Sequence, residues 1–140
     1  MEDVELARCL LEKEKLNLVI VKKGQVLYSS NEKGLRPFFQ AVLNDEHALC
    51  NAAVADRIVG SAVAMLCLHV QIASVYASIV SMAALAMLKG QGVTITGKNV
   101  VHHIFNYDGT DLCRFEKLAQ GCRQPSELFS ALQSLFAEGQ

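Results

Sequence analysis

Hydrophobic positions first recur at helical spacing near the start of the chain. In residues 2–14, Val4, Ala7, Leu10 and Leu11 fall on one face of a helix, and glutamates and lysines fall on the other. This pattern predicts an amphipathic helix that covers part of a core.

The next segment changes to the short apolar runs of a β-hairpin. Residues 16–21 are apolar except for Asn17 and partly β-branched, residues 22–25 are typical of a turn, and residues 26–28 resume the apolar pattern. Pro37 then suits the first turn of a short helix through Leu43, because the missing proline N–H has no helical partner there in any case.

The middle of the chain contains 31 residues, 58–88, without Asp, Glu, Lys or Arg. This length meets the requirement for a membrane span, which is roughly 20 apolar residues. However, neither flank has aromatic or basic anchors, and six polar residues interrupt the interval: Ser61, His69, Gln71, Ser74, Ser78 and Ser81. We therefore predict buried helices and a strand, and no membrane segment.

Within this region the apolar spacing predicts a helix from residue 51 or 52, a strand over 72–76 and a second helix over 79–88. Asp56 and Arg57 would then lie near the start of the first helix, where a carboxylate suits the helix dipole. The order of helix, strand and helix predicts a parallel crossover.

The C-terminal third predicts further strands and two helices. Residues 93–96 and 99–106 have the composition of one or two strands, and a turn follows at residues 107–109. Thr110 or Asp111 is expected to cap a helix through Ala119, and Pro125 opens a final amphipathic helix. The predicted elements form one compact α/β domain.

The charge balance excludes two classes of partner. Thirteen Lys and Arg residues oppose fourteen Asp and Glu residues, for a net charge of −1. A near-neutral chain lacks the positive surface that binds nucleic acids or anionic membranes. The five cysteines form no Cys-x-x-Cys pair and the N-terminus has no secretion signal, so we expect a cytoplasmic protein.

The histidines are the first candidates for metal ligands. His102 and His103 are adjacent, but neighbouring side chains on a strand point to opposite faces, so we expect one in the core and one at the surface. His47 and His69 lie near the ends of predicted elements, where we expect solvent exposure or helix capping. We predict no bound metal and no other cofactor.

Two further groups of residues are candidates for chemistry. Cys113 and Glu116 share one face of a predicted helix, and a thiol at a helix N-terminus is more reactive than a free one. A structural cysteine beside a capping glutamate is the alternative, because no histidine is placed to act as its base. Asp56 and Arg57 either form an ion pair or line a pocket at the carboxyl ends of the strands, where open α/β sheets bind ligands.

The order of hairpin, helix, strand, helix and strand resembles domain-of-unknown-function family 1893. The resemblance spans roughly residues 16–121 and rests on Ala55-Asp-Arg-Ile-Val-Gly60, Ser78-Ile-Val-Ser-Met-Ala83 and Asn106-Tyr-Asp-Gly-Thr110, followed by Cys113 and Glu116. That family looks like a member of the cytidine-deaminase-like superfamily. The resemblance implies a three-layer α-β-α sandwich whose mixed, roughly five-stranded sheet begins with a β-hairpin.

The resemblance also divides the chain. We expect a single domain over residues 1–140, with a deaminase-like core at 15–121, an added N-terminal helix at 1–14 and an added C-terminal helix at 124–138.

In zinc deaminases, two helix starts carry His-x-Glu or Cys-x-Glu and Pro-Cys-x-x-Cys. The corresponding positions here, near Asp56 and near residues 78–81, match neither motif, and Cys122 has no second cysteine two or three residues before it. A zinc site needs at least three protein ligands. We therefore predict no catalytic zinc and no hydrolytic deamination.

The resemblance still implies a cavity between two helix N-termini, without the zinc motifs. We expect a binding protein for a small polar or nucleotide-like ligand, with these ligand-binding residues: Asp56, Arg57, Ser78, Ser81, Cys113 and Glu116. A cysteine-dependent enzyme, with Cys113 as nucleophile and Glu116 or Asp56 assisting, is one alternative. The other alternative is an interaction protein whose Ala- and Ser-rich helices pack against another copy. We expect a homodimer.

Overall fold

A computed structural model describes residues 1–138. The helices and strands follow in this order: α1 (Asp3–Lys13), β1 (Leu18–Lys22), β2 (Gln25–Ser30), α2 (Arg36–Asp45), β3 (Ala53–Val59), α3 (Ser61–His69), β4 (Ser74–Ser81), α4 (Met82–Gly90), β5 (Thr94–Val101), α5 (Arg114–Gln120) and α6 (Pro125–Glu138). A single 3-10 turn, His47–Leu49, precedes β3. The predicted hairpin, α1, α2 and α6 are all present.

The five strands form one mixed sheet in the order β2-β1-β3-β4-β5. Strand β1 pairs antiparallel with β2 and β3, whereas β3, β4 and β5 are parallel. Helices α3 and α4 make the two crossovers between these parallel strands, as parallel pairing requires. The predicted α/β class, with a mixed five-stranded sheet that begins with a hairpin, is confirmed.

The parallel strands define two edges of the sheet. Their carboxyl ends, at Val59, Ser81 and Val101, form one edge, which we call the carboxyl edge; their first residues form the amino edge. Helices α3 and α4 begin at the carboxyl edge and return to the amino edge. Both edges therefore adjoin helix ends, with N-termini at the first and C-termini at the second.

Apolar side chains cover both faces of the sheet. The larger core lies on one face and includes Phe38 and Phe39 from α2, Leu66 from α3 and Leu88 from α4. A smaller core on the other face packs α1 against β1, β3 and β4. Helix α1 is thus the cover that its amphipathic pattern predicts.

The helix predicted from residue 51 or 52 is wrong over its first half. Residues 53–59 form strand β3, and the helix begins only at Ser61. The strand is buried on both faces, so it lacks the alternation of polar and apolar residues that identifies a half-exposed strand. Asp56 and Arg57 consequently lie on a strand and point to opposite faces of the sheet.

Three other boundaries also differ from the predictions. Strand β4 continues through Ser81, so Ser78 belongs to a strand and α4 starts at Met82. Strand β5 is one continuous strand. Helix α5 starts at Arg114, with Cys113 as its cap residue instead of Thr110 or Asp111. Thr110 belongs to the preceding turn, where its N–H donates to Asn106 Oδ1.

The histidines only partly follow the predictions. His102 and His103 come after the end of β5 and are both exposed, so the expected core position for one of them is wrong. His47 is exposed as predicted. His69 is neither solvent-facing nor a cap: its ring stacks on Phe129 with centroids 4.6 Å apart and its Nε2 atom lies beside the Glu46 carboxylate.

The uncharged interval of residues 58–88 is divided between the end of β3, α3, β4 and most of α4. No helix in the described part of the chain is long and apolar enough to cross a membrane.

Candidate functional site

The carboxylate of Glu116 lies at the N-terminus of α3. Its Oε1 atom accepts a hydrogen bond from the Ser61 N–H at 2.9 Å, and Oε2 accepts one from the Ala62 N–H at 3.1 Å. The first amides of a helix have no partner inside it, and they form the positive end of the helix dipole. Glu116, itself only 8% exposed, therefore supplies an anion to this helix end from α5.

Gly60 makes room for this contact. A Cβ atom at Gly60 would lie 2.3 Å from Oε1 and 2.6 Å from Oε2 of Glu116. The backbone conformation of Gly60, with φ −102°, is open to other residues, so the requirement for glycine here is steric. Gly60 and Glu116 are far apart in the sequence, and no local pattern links them.

The N-terminus of α4 is also satisfied by the chain itself. Ser81 is its cap residue, and the Ser81 Oγ atom accepts a hydrogen bond from the Ala84 N–H at 3.2 Å. A serine oxygen in this position satisfies one of the unpaired amides of the first turn. Two of the predicted ligand-binding residues, Ser81 and Glu116, thus make intramolecular caps at the two helix starts of the carboxyl edge.

Asp56 is a buried carboxyl group on the larger-core face of the sheet. It lies between Leu18 of β1 and Ala77 of β4, and its Oδ1 atom accepts the Ile58 N–H at a long 3.4 Å. Burial raises the pKa of Asp56 to about 8, against the opposing effect of backbone hydrogen bonds. Burial, and secondarily the Asp56 charge, raises the pKa of the Cys67 thiol in α3.

Arg57 extends to the opposite face and holds the end of α1. Its Nη2 donates to the Leu11 carbonyl at 2.7 Å and its Nε donates to the Leu16 carbonyl at 2.8 Å. Its Nη1 lies 3.5 Å from the Ser78 hydroxyl. The structure therefore brings Arg57 and Ser78 together, but no Asp56–Arg57 ion pair forms among the described residues.

Cys113 is partly buried at the start of α5, and all five cysteines are free thiols. No hydrogen bond of the Cys113 thiol is present within residues 1–138. The predicted assistant, Glu116, uses both carboxylate oxygens on α3. The six predicted binding residues are thus spread over several places. Asp56 and Arg57 lie on opposite faces of the sheet, whereas Ser81 and Glu116 cap helices.

A cleft of about 1010 Å³ lies at the amino edge. It is bordered by the residues just before β3, β4 and β5, by the ends of α3 and α4, and by the connection between α5 and α6. Its apolar lining includes Met65, Leu68 and Met87. The cleft is partly open to solvent, and apolar and polar groups contribute about equally to its lining.

The polar lining of the cleft consists mainly of side-chain amides. Asn51, Gln71, Gln91 and Gln124 supply these amides, and Arg123 is the one charged residue in the lining as described. No sequence pattern predicts this site, because its residues come from four separate connections and from the adjoining helices and form no motif. The polar break at residues 69–71, inside the uncharged interval, was the nearest signal.

Among residues 1–138, no three His, Cys, Asp or Glu side chains come together in a group that could hold a metal ion. The absence of catalytic zinc stays a prediction.

These features define an α/β domain in which a mixed five-stranded sheet, begun by a hairpin, carries two parallel crossovers. The family model TM1506, described as "Domain of unknown function (DUF1893)", matches residues 6–136, and the chain belongs to this family. The predicted resemblance is thereby confirmed. The further likeness to the cytidine-deaminase-like superfamily stays a prediction.

A solved structure agrees with this assignment. The chain is similar to a DUF1893 family protein (TM1506) from Thermotoga maritima, with 25% sequence identity and a TM-score of 0.85. The alignment covers 94% of this chain and 88% of that one. No curated protein matches the chain.

Proposed function

We propose that this protein is a non-catalytic binding module whose small polar ligand occupies the amino-edge cleft. The cleft itself carries the proposal: its volume of about 1010 Å³ and its combination of methionine side chains with several amides suit a small molecule that is partly apolar and partly polar. Methionine side chains adapt their shape readily to a bound surface.

The carboxyl edge is the competing location for the same function. A nucleotide-like ligand there, as the family resemblance suggests, would need anion-binding amides at the start of α3. Glu116 already occupies the amides of Ser61 and Ala62, and its negative charge would repel a phosphate. This occupancy favours the amino edge.

The other two hypotheses have weaker support. A cysteine-dependent enzyme would need Glu116 or Asp56 to assist Cys113. Glu116 is engaged on α3, and Asp56 is buried in β3, where its Oδ1 atom accepts the Ile58 N–H. A homodimer stays a prediction that sedimentation of the purified protein tests directly.

A thermal-shift screen with small polar compounds, nucleosides and nucleotides included, tests the proposed function. A ligand at 100 times its Kd stabilises the folded state by about 2.7 kcal/mol, so we expect a Tm increase of several degrees for at least one compound. A variant with the cleft filled comes from replacing Ala86, an exposed residue of α4 in the cleft lining, by tryptophan. We expect A86W to abolish the shift.

Ala83 provides the matched control, because it is an exposed alanine on the same helix near the carboxyl edge and outside the cleft. We expect A83W to keep the shift. Loss of the shift in A83W and its retention in A86W would move the site to the carboxyl edge. A screen without any stabilising compound would count against the proposed function.

A further inference from the structure

We infer that the ligand of the amino-edge cleft is an organic monoanion, a carboxylate attached to an apolar body. This inference rests on the proposed function and specifies its ligand class. It depends on the partners of the arginines, on the chemistry of the cleft lining and on the helix ends that border the cleft.

Four of the five arginines have a partner for the guanidinium group. Arg8 pairs with Glu12, Arg57 binds main-chain carbonyls, and two others lie over phenylalanine rings, Arg36 over Phe136 and Arg114 over Phe115. Arg123 is the fifth. Arg123 is an exposed residue of the cleft lining, and within residues 1–138 its guanidinium has no ion pair, hydrogen bond or aromatic ring as partner.

The neighbouring Glu127 does not neutralise this arginine through an ion pair. Its Oε2 atom accepts the backbone N–H of Arg123, two residues before the start of α6, at 3.1 Å. No aspartate or glutamate is among the cleft-lining residues described. The guanidinium therefore offers its fork of donors to a ligand, and a carboxylate matches this fork with two parallel hydrogen bonds.

The charges around the cleft suit a single negative charge on the ligand. Helices α3 and α4 end at the amino edge with partial negative charges, and the start of α6, at Pro125, brings a partial positive charge to the same cleft. Arg123 is the one full charge in the described lining, so it matches a monoanion and leaves the second charge of a phosphate monoester unmatched. The apolar side chains of Met65, Leu68 and Met87 then contact the uncharged part of the molecule.

Matched acids and amides test this inference by isothermal titration. The probes are 4-phenylbutanoate with 4-phenylbutanamide, and hexanoate with hexanamide, since each pair differs only in the charged group. We expect the acids to bind at least about tenfold more tightly than the amides, because an ionised acceptor makes the stronger hydrogen bond. We expect Arg123→Gln to remove this preference and Arg114→Gln, outside the cleft, to keep it.

The outcomes separate this inference from the proposed function. If acids and amides bind equally, and A86W weakens both, the cleft is a binding site and the monoanion inference is wrong. If no probe binds, the test uses the compound that the thermal-shift screen finds and whose effect A86W abolishes. A monoanion whose affinity falls at least tenfold in R123Q supports the inference, and any other compound overturns it. If the screen also finds none, both proposals fail.

Discussion

Replacing Glu116 by alanine is expected to lower the free energy of unfolding by about 2–4 kcal/mol. The substitution leaves the amides of Ser61 and Ala62 without their charged acceptor in a partly buried place. Hydrogen bonds to charged groups contribute about 1.5–3 kcal/mol each, and the loss is larger when a buried donor stays unpaired. Urea unfolding followed by circular dichroism measures the change.

Three further variants show that the loss comes from the cap. Glu116→Gln keeps one carbonyl acceptor and is expected to be intermediate. Gly60→Ala places a Cβ atom 2.3 Å from Glu116 Oε1 and displaces the carboxylate, so we expect a loss similar to that of E116A. Gly90→Ala is the control, because a Cβ atom there meets nothing within 4 Å.

Combining the variants sharpens this test. Once Glu116 is shortened to alanine, the clash at Gly60 disappears, so G60A is expected to add little to E116A. Full additivity of the two losses, or a loss below about 0.5 kcal/mol in E116A, which is the scale of an ordinary surface substitution, would contradict the proposed capping role.

Replacing Asp56 by asparagine is expected to stabilise the protein at alkaline pH, on the order of 5 kcal/mol at pH 9. Burial raises the pKa of Asp56 to about 8 in the folded protein, whereas an unfolded aspartate has a pKa of about 3.9. The folded chain thus holds a proton that the unfolded chain releases. Stability from this group is complete below about pH 4 and is lost as the pH rises through about 8.

Asparagine is nearly isosteric and cannot ionise, so D56N lacks this pH dependence. Urea unfolding of both proteins from pH 4 to pH 9 gives the difference in stability at each pH, and contributions from other titrating groups cancel. We expect the difference to grow in favour of D56N as the pH rises. Parallel curves for the two proteins would show that Asp56 ionises normally in the folded state.

The elements that were predicted correctly have strong local signals. The hairpin is marked by its turn residues, and Pro37 and Pro125 mark the starts of α2 and α6. Strand β3 lacked such a signal, because Asp56 and Arg57 interrupt its apolar residues and the apolar positions over residues 54–66 also fit helical spacing. Its assignment needed the neighbouring strands β1 and β4, which only the folded structure provides.

The candidate sites were harder to predict for a related reason. Glu116 and Gly60 are ordinary residue types whose contact arises from packing of α5 against α3, so the sequence contains no spacing that reveals it. The cleft depends on side chains from distant connections, such as Gln71 and Arg123, and is visible only when the helix ends are placed together.

The most direct test of the central claim is an amide-resolved NMR titration of the full chain with the strongest compound from the screen. We predict concentration-dependent shifts of the amides at residues 71–73 and 90–93, which border the amino-edge cleft. We predict little change at residues 60–62 and 81–84. Shifts confined to the second pair of segments, at the carboxyl edge, would contradict the assignment of the ligand site.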